Sequence, residues 1–290
     1  MLAPQLRQLG EREQLDLFRA LPGEMAARDA QDLMAYPFFS LAKSKRTVLI
    51  DFRTSNVTVR VEGTVEHGLA TIWDADVLIW AASQIVEARD SGIRSSRLMA
   101  ATPYEILRFI GRGTSLRDYQ RLKAALDRLQ STSVATSIRQ PTTRRLHRFS
   151  WINEWKESAD DQGRPFGIEL ILPDWFYAGV LDESLVLTID ANYFRLRGGI
   201  ERWLYRLVRK HGGWQREGWR FDFIHLYRKS GSLARFTDFA CDLRCIVTRQ
   251  PLPGYVLAIQ RSRRGPEVLT FHAVPSTAPL RPGGSFDVSG

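Results

Sequence analysis

The sequence predicts an α+β fold in which one plan is used twice: two helices and a turn, followed by a β-hairpin. Three observations carry that expectation. The order helix, turn, longer helix, hairpin runs through residues 102–150 and again through residues 199–273. Both hairpins carry arginines around their tips. The basic excess of the whole chain falls in the second run: Arg195 to Thr270 holds 16 Lys/Arg against 6 Asp/Glu, a net of +10, where the full 290 residues carry +9. A surplus of that size points to an anionic partner, nucleic acid or an anionic membrane.

The elements follow in order. Glu11–Leu33 reads as a polar helix broken at Pro22-Gly23, and residues 1–35 are taken as an N-terminal arm. VLIDF, VTVRVEG and LATIW are short, β-branched and separated by polar turns, so they read as strands. DADVLIWAASQIVEAR reads as a helix capped by Asp74 or Asp76, with Val77, Trp80, Ala81 and Ile85 on one face. Thr102 and Pro103 open the next helix, and Gly111-Arg112-Gly113 ends it. Ser115 or Thr114 caps a longer helix whose apolar side is Leu116, Tyr119, Leu122, Leu126 and Leu129. TSVATSI and RLHRFSWINEW then flank the basic loop 139–145 as a hairpin. FGIELILPDWFYAGV and SLVLTID add a strand, a short helix and a strand.

The second run starts with GGIERWLYRLVRKHGG, a helix ending at glycine with Ile200, Trp203, Leu204 and Leu207 inward. WRFDF is a short strand and IHLYRKSG a short helix stopped by Gly231. Leu233–Arg249 is the longer helix, buried through Phe236, Phe239, Ala240, Leu243 and Val247. YVLAIQ and EVLTFHAV form the second hairpin. The expected organisation is two winged-helix domains in tandem, residues 36–182 and 183–274, followed by a disordered Pro/Gly/Ser-rich tail over residues 275–290.

Several chemistries lack their residues. No G-x-x-x-x-G-K-[ST] is present, and Gly111–Gly113 lies between helices, where a dinucleotide fingerprint does not. The histidines, His67, His147, His211, His225 and His272, do not pair at metal-binding spacing, and Asp160-Asp161 reads as a solvated turn. Cys241 and Cys245, one helical turn apart, read as cytosolic thiols. No apolar run is long enough to span a membrane. We therefore expect a cytoplasmic protein with no catalytic residues, cofactor or metal.

The residue types instead suit double-stranded DNA. In a winged helix the third helix enters the major groove, where Arg reads guanine, and the wing grips phosphate or the minor groove. In the second domain the outward helix face is Ala234, Asp238, Cys241, Cys245 and Arg249, flanked by Arg235 and Arg244; the wing carries Arg261, Arg263 and Arg264. In the first, Arg117, Arg121 and Arg128 form the helix stripe with Ala124, and Arg139, Arg144 and Arg145 the wing. The first domain is near charge balance, so DNA and a second copy of the chain both stay open as its partner. Trp151, Trp155 and Trp203 read as core. A transcriptional regulator is the alternative reading. A rolling-circle nickase using Tyr205 or Tyr227 is disfavoured because it wants a metal held by paired histidines, and an RNA-binding module because no RNP-type motif occurs.

The run TPYEILRFIGRGTSLRDYQRLKAALDRLQSTSVATSI with HRFSWINEW resembles the first half of the plasmid replication initiator protein A family. GGIERWLYRLVRKHGG, WRFDF, LYRKSGS and DLRCIVTRQPLPGY resemble its second half. The resemblance runs from about Tyr36 to His272. It implies two winged-helix domains, binding to origin repeats (iterons), and theta-type replication. It also implies recruitment of the host initiator and replicative helicase, and dimers that repress the chain's own promoter.

Overall fold

A computed structural model describes residues 15–142, 144–159, 161, 165–212, 218–261 and 265–274. The start of the chain differs from the polar helix expected there. Phe18–Arg19 (β1) and Arg28–Ala30 (β2) are strands, and only Gln31–Ala35 (α1) is helical. Residues 11–14 of the expected helix lie outside the described residues. Phe18 is buried beside Met99 in a parallel pairing, so a distant strand overrides local helix preference.

Ile50–Arg53 (β3) and Thr58–Glu62 (β4) form an antiparallel pair. LATIW is not a strand. It makes a single bridge, Thr71 with Ser40, and then turns into Ala75–Asp90 (α2). Of the 16 residues of α2, 13 are buried. A helix apolar on all sides belongs at the centre of a core, and α2 is packed from every direction. Asp74 is the residue before it, but its carboxylate accepts from Thr71 N–H and from Arg128 and does not cap the helix. Asp76 does not cap it either; it is fully buried and ion-paired.

Leu98–Ala101 (β5) leads to Pro103–Phe109 (α3). The start of α3 is set by a reciprocal cap: Glu105 N–H donates to Thr102 Oγ1 at 3.2 Å, and Thr102 N–H to Glu105 Oε2 at 2.7 Å. Leu116–Ser131 (α4) begins where Ser115 N–H and Oγ both donate to Asp118. Leu122, Ala125, Leu126 and Leu129 are its buried side, whereas Leu116 is 74% exposed. Ser133–Thr136 (β6) and His147–Ser150 (β7) follow as the expected hairpin, Ser133 opposite Ser150. Glu154–Ala159 (β8), Pro165–Ile171 (β9) and Asp174–Leu181 (α5) complete the first unit. Its two sheets run β1-β5-β9-β8 and β3-β4-β6-β7. Trp151 packs face to face on Phe39 at 5.0 Å, and Trp175 on Phe149 at 4.8 Å. Trp155 is only partly buried, its Nε1–H donating to Asp127.

Val186–Thr188 (β10) pairs with β2, and Gly199–His211 (α6) opens the second unit. Trp219–Asp222 (β11), Phe223–Ser230 (α7), Phe236–Arg249 (α8), Tyr255–Gln260 (β12) and Val268–Ala273 (β13) follow. The sheet order is β11-β13-β12, with Tyr255 opposite Ala273 and Gln260 opposite Val268. The buried face of α8 is Phe239, Ala240, Leu243 and Ile246; Val247 is only partly covered and Phe236 is 38% exposed.

The units meet over a polar seam. Arg202 and Arg206 of α6 point into the first unit, pairing with Asp76 and Asp29, and all four are buried. Arg46 of the first unit donates to the carbonyl of Gly231 at 2.6 Å. A Cβ on Gly199 would run into the Leu41 carbonyl oxygen, so the backbones touch there.

Candidate nucleic-acid interface

In the second unit, Asp222 caps α7 by accepting from His225 N–H at 2.6 Å, and Gly231, at φ +63°, ends it. The turn that follows aims α8 outward, leaving Asp238, Cys241, Asp242, Cys245 and Arg249 exposed along it. Arg235 stands 84% exposed at the start of α8, its Nε 3.1 Å from Asp238. Arg244 reaches back to Glu267 at the foot of β13 with two bonds, 3.1 and 2.5 Å, and Arg261 at the end of β12 donates to that same carboxylate at 2.8 Å. These hydrogen bonds hold the Glu267 carboxyl below its ordinary range, with Arg244 the larger cause. One carboxylate thereby joins helix and hairpin into a single basic surface. Arg249 pairs with Glu201 at 2.7 Å and keeps 59% of its side chain exposed. Arg263 and Arg264 lie outside the described residues.

These pairings leave the arginines able to change partner. An exposed ion pair contributes only about 0–1 kcal/mol, so exchanging Asp238 for a phosphate costs Arg235 little. Arg244, Arg249 and Arg261 are also well exposed, and only their carboxylates are covered.

The first unit treats its candidates differently. Arg117 is exposed, and Arg121 is 63% exposed with a 3.4 Å contact to Asp118. Arg144 and Arg145 are exposed in the hairpin loop. Arg128 is not part of a free stripe: two 2.7 Å bonds hold it to Asp74. Arg139 is not on the outward side of the wing. Its backbone takes φ +60°, and its guanidinium lies 3.8 Å from the Trp175 ring and 3.1 Å from Asp32. The stacking and the ion pair hold its guanidinium inward, against Trp175 and Asp32, with 25% of the side chain left exposed. An open cleft of about 680 Å³ runs beside α4, lined by Lys43, Lys45, Trp73, Arg112, Arg121 and Arg128. The Arg121, Ala124 and Arg128 part of the α4 stripe thus faces a cleft, where that of α8 stands on open surface.

The sequence reading missed the buried arginines Arg202 and Arg206. A usable signal existed: in GGIERWLYRLVRKH both stand one turn apart among apolar positions. Among the described residues no group of three or more His, Cys, Asp or Glu stands together as metal ligands, and no helix is long and apolar enough to cross a membrane.

Comparison with known proteins gives a consistent picture. The family model described as Replication initiator protein A matches residues 28–257. A putative replication protein of Wigglesworthia glossinidia brevipalpis is 31% identical over 226 residues, covering 77% of this chain and 81% of that protein. Among solved structures, domains 2 and 3 of RctB superpose with a TM-score of 0.61 at 13% identity, covering 84% of this chain and 98% of that one. A second structure of the same two domains gives 0.55 at 13% identity, covering 84% and 96%. At that identity the likeness is one of fold.

Proposed function

The chain belongs to the replication initiator protein A family, and from that premise we propose that it starts plasmid replication by binding repeated origin sequences as a double-stranded DNA-binding protein. In this reading the two units are winged helices. α3, α4 and the β6–β7 hairpin make the first; α7, α8 and the β12–β13 hairpin make the second. The observation that carries the proposal is the surface of the second unit. There an outward helix and a hairpin share Glu267 and present Arg235, Arg244, Arg249 and Arg261, in the part of the chain that holds the whole basic excess.

The second unit is the principal reader. Small Cys241 and Cys245 let α8 approach base edges, and the arginines around them reach guanines and phosphates. The first unit adds Arg117, Arg121, Arg144 and Arg145. Recruitment of host replication proteins and repression of the chain's own promoter complete the role. No catalytic step is included. The two tyrosines weighed as nucleophiles already have structural partners, which supports that choice: Tyr205 is buried and its hydroxyl accepts from Asp190 N–H, while Tyr227 Oη–H donates to the Ala234 carbonyl at 2.7 Å.

DNase footprinting on the DNA flanking the gene tests the reading. Protection of several evenly spaced direct repeats is expected. Protection of one inverted repeat at the promoter alone would instead make the chain a transcriptional regulator.

A further inference from the structure

The seam between the units carries positive charge without a partner. Lys210, in the last turn of α6, and Lys229, in the last turn of α7, both stand over the ring of Tyr36, at 5.8 and 4.9 Å from its centroid. Tyr36 belongs to the first unit, as the residue after α1. Both lysines are half-buried. Neither ammonium has a hydrogen-bond acceptor or an ion-pair partner among the described residues. Asp32 attracts Lys210, but its carboxylate is engaged by Arg139 at 3.1 Å. Burial and the Lys210 charge push the Lys229 ammonium down to about 8.

Helix C-termini attract lysines for a simple reason, since the last carbonyls carry partial negative charge. That accounts for one cation at each helix end. It does not account for two being brought to one half-buried ring, where like charges repel. The aromatic face offsets part of that cost. What the pair lacks is an anion in direct contact.

We propose that Lys210 and Lys229 together hold one phosphate, a backbone phosphodiester of DNA that runs across both units. The inference rests on the DNA-binding role proposed above. In that role, a duplex held by both units would carry its backbone across the seam between them. The seam is also rigid enough to present a prepared site: Asp76–Arg202, Asp29–Arg206 and Arg46 to the Gly231 carbonyl fix α6 and α7 against the first unit. Two amines beside the same ring, sharing one phosphate, would give position without sequence preference, which is the role of phosphate contacts at such interfaces.

The experiment measures affinity for a footprinted duplex against KCl concentration, by fluorescence anisotropy, for the wild type, the double variant Lys210→Ala/Lys229→Ala and the charge-keeping variant Lys229→Arg. The expected result is a loss of roughly tenfold in the double variant. Its slope of log K on log salt should fall by about 0.9, as for one phosphate. Lys229→Arg should keep the slope. Thermal unfolding of the double variant should occur no lower than in the wild type, which separates lost contact from lost fold. A folded double variant with unchanged affinity and slope overturns the proposal. Wild-type protein that binds no duplex defeats the DNA reading itself, and inorganic pyrophosphate then decides the site alone. Stabilisation of the wild type but not of the double variant would make free phosphate compounds the occupant and overturn the DNA assignment. No stabilisation would remove the site.

Discussion

Arg202 of α6 donates from one nitrogen to both carboxylate oxygens of Asp76, at 2.7 and 2.9 Å, across 126 residues of chain and fully out of water. Its other two nitrogens donate to the Leu196 and Phe194 carbonyls, each at 2.8 Å. Arg112, in the turn between α3 and α4, adds a third approach to Asp76 at 3.0 Å. One aspartate thus ties the central helix of the first unit to the first helix of the second. Burial pushes its carboxyl up, and the Arg202 and Arg112 guanidiniums pull it back down.

Asp76→Ala should therefore be far more damaging than the loss of one contact. It leaves the Arg202 charge buried without a counter-charge, a situation that costs about 3–5 kcal/mol. Asp76→Leu combined with Arg202→Met removes both charges and should restore most of that stability. Urea unfolding of the two variants checks the pair. Equal destabilisation by both would mean that packing, and not charge burial, governs the site.

The glycines of the seam give an independent test. Gly199→Ala drives a methyl into the Leu41 carbonyl, backbone against backbone, so α6 must move away from the first unit. Gly231→Ala meets Pro37 at 2.9 Å and strains a φ of +63°, a penalty of about 1 kcal/mol or more. Both should lower the melting temperature, with Gly199→Ala also exposing residues near the seam to limited proteolysis. A Gly199→Ala protein as protease-resistant as the wild type would contradict the close contact.

The features read correctly from sequence are those set by residues near one another. Thr102, Ser115 and Gly231 each start or stop a helix as read, by local hydrogen bonding or local φ; the structure adds Glu105 and Asp118 as the partners of the two caps. The hairpins β6–β7 and β12–β13 show alternation on both sides of a polar loop. What was not legible depends on partners far away. β1 and β2 are strands because β5 and β10 supply their hydrogen bonds. Arg128 and Arg139 look like surface cations until Asp74, Trp175 and Asp32 are brought to them. Lys210 and Lys229 become notable only when Tyr36 stands between two units.

The same seam should make stability depend on pH in a defined direction. Burial, then Lys210, Lys229 and His225, push His211 down to about 4 from an ordinary value near 6.5. Between those values the unfolded chain binds a proton that the folded chain does not, so stability falls as pH drops from about 6.5 toward 4. Lys229 gives the same sign higher up: between about 8 and its ordinary value near 10.4, stability rises with pH. Melting temperatures of His211→Gln and Lys229→Gln, each subtracted from the wild type across pH, isolate the two windows. A flat difference curve for either would mean that the group titrates alike in both states.

Glu267 sets the last prediction, because it holds Arg244 of the reading helix and Arg261 of the hairpin at once. The Arg244 pair is part-exposed, so Glu267→Gln should lower stability by only about 1 kcal/mol. Its effect on DNA should be larger and two-sided. Removing one negative charge frees two arginines for phosphate, so binding to unrelated DNA should strengthen. Its salt dependence should steepen by up to about 0.9 for each phosphate that a freed arginine engages. The relative placement of helix and hairpin is lost with the shared carboxylate, so the preference for origin repeats over unrelated DNA should shrink. Anisotropy titrations on both duplexes at several salt concentrations measure the two effects together. If affinity for both duplexes falls in equal proportion, Glu267 serves the fold of the hairpin and does not set its register against α8.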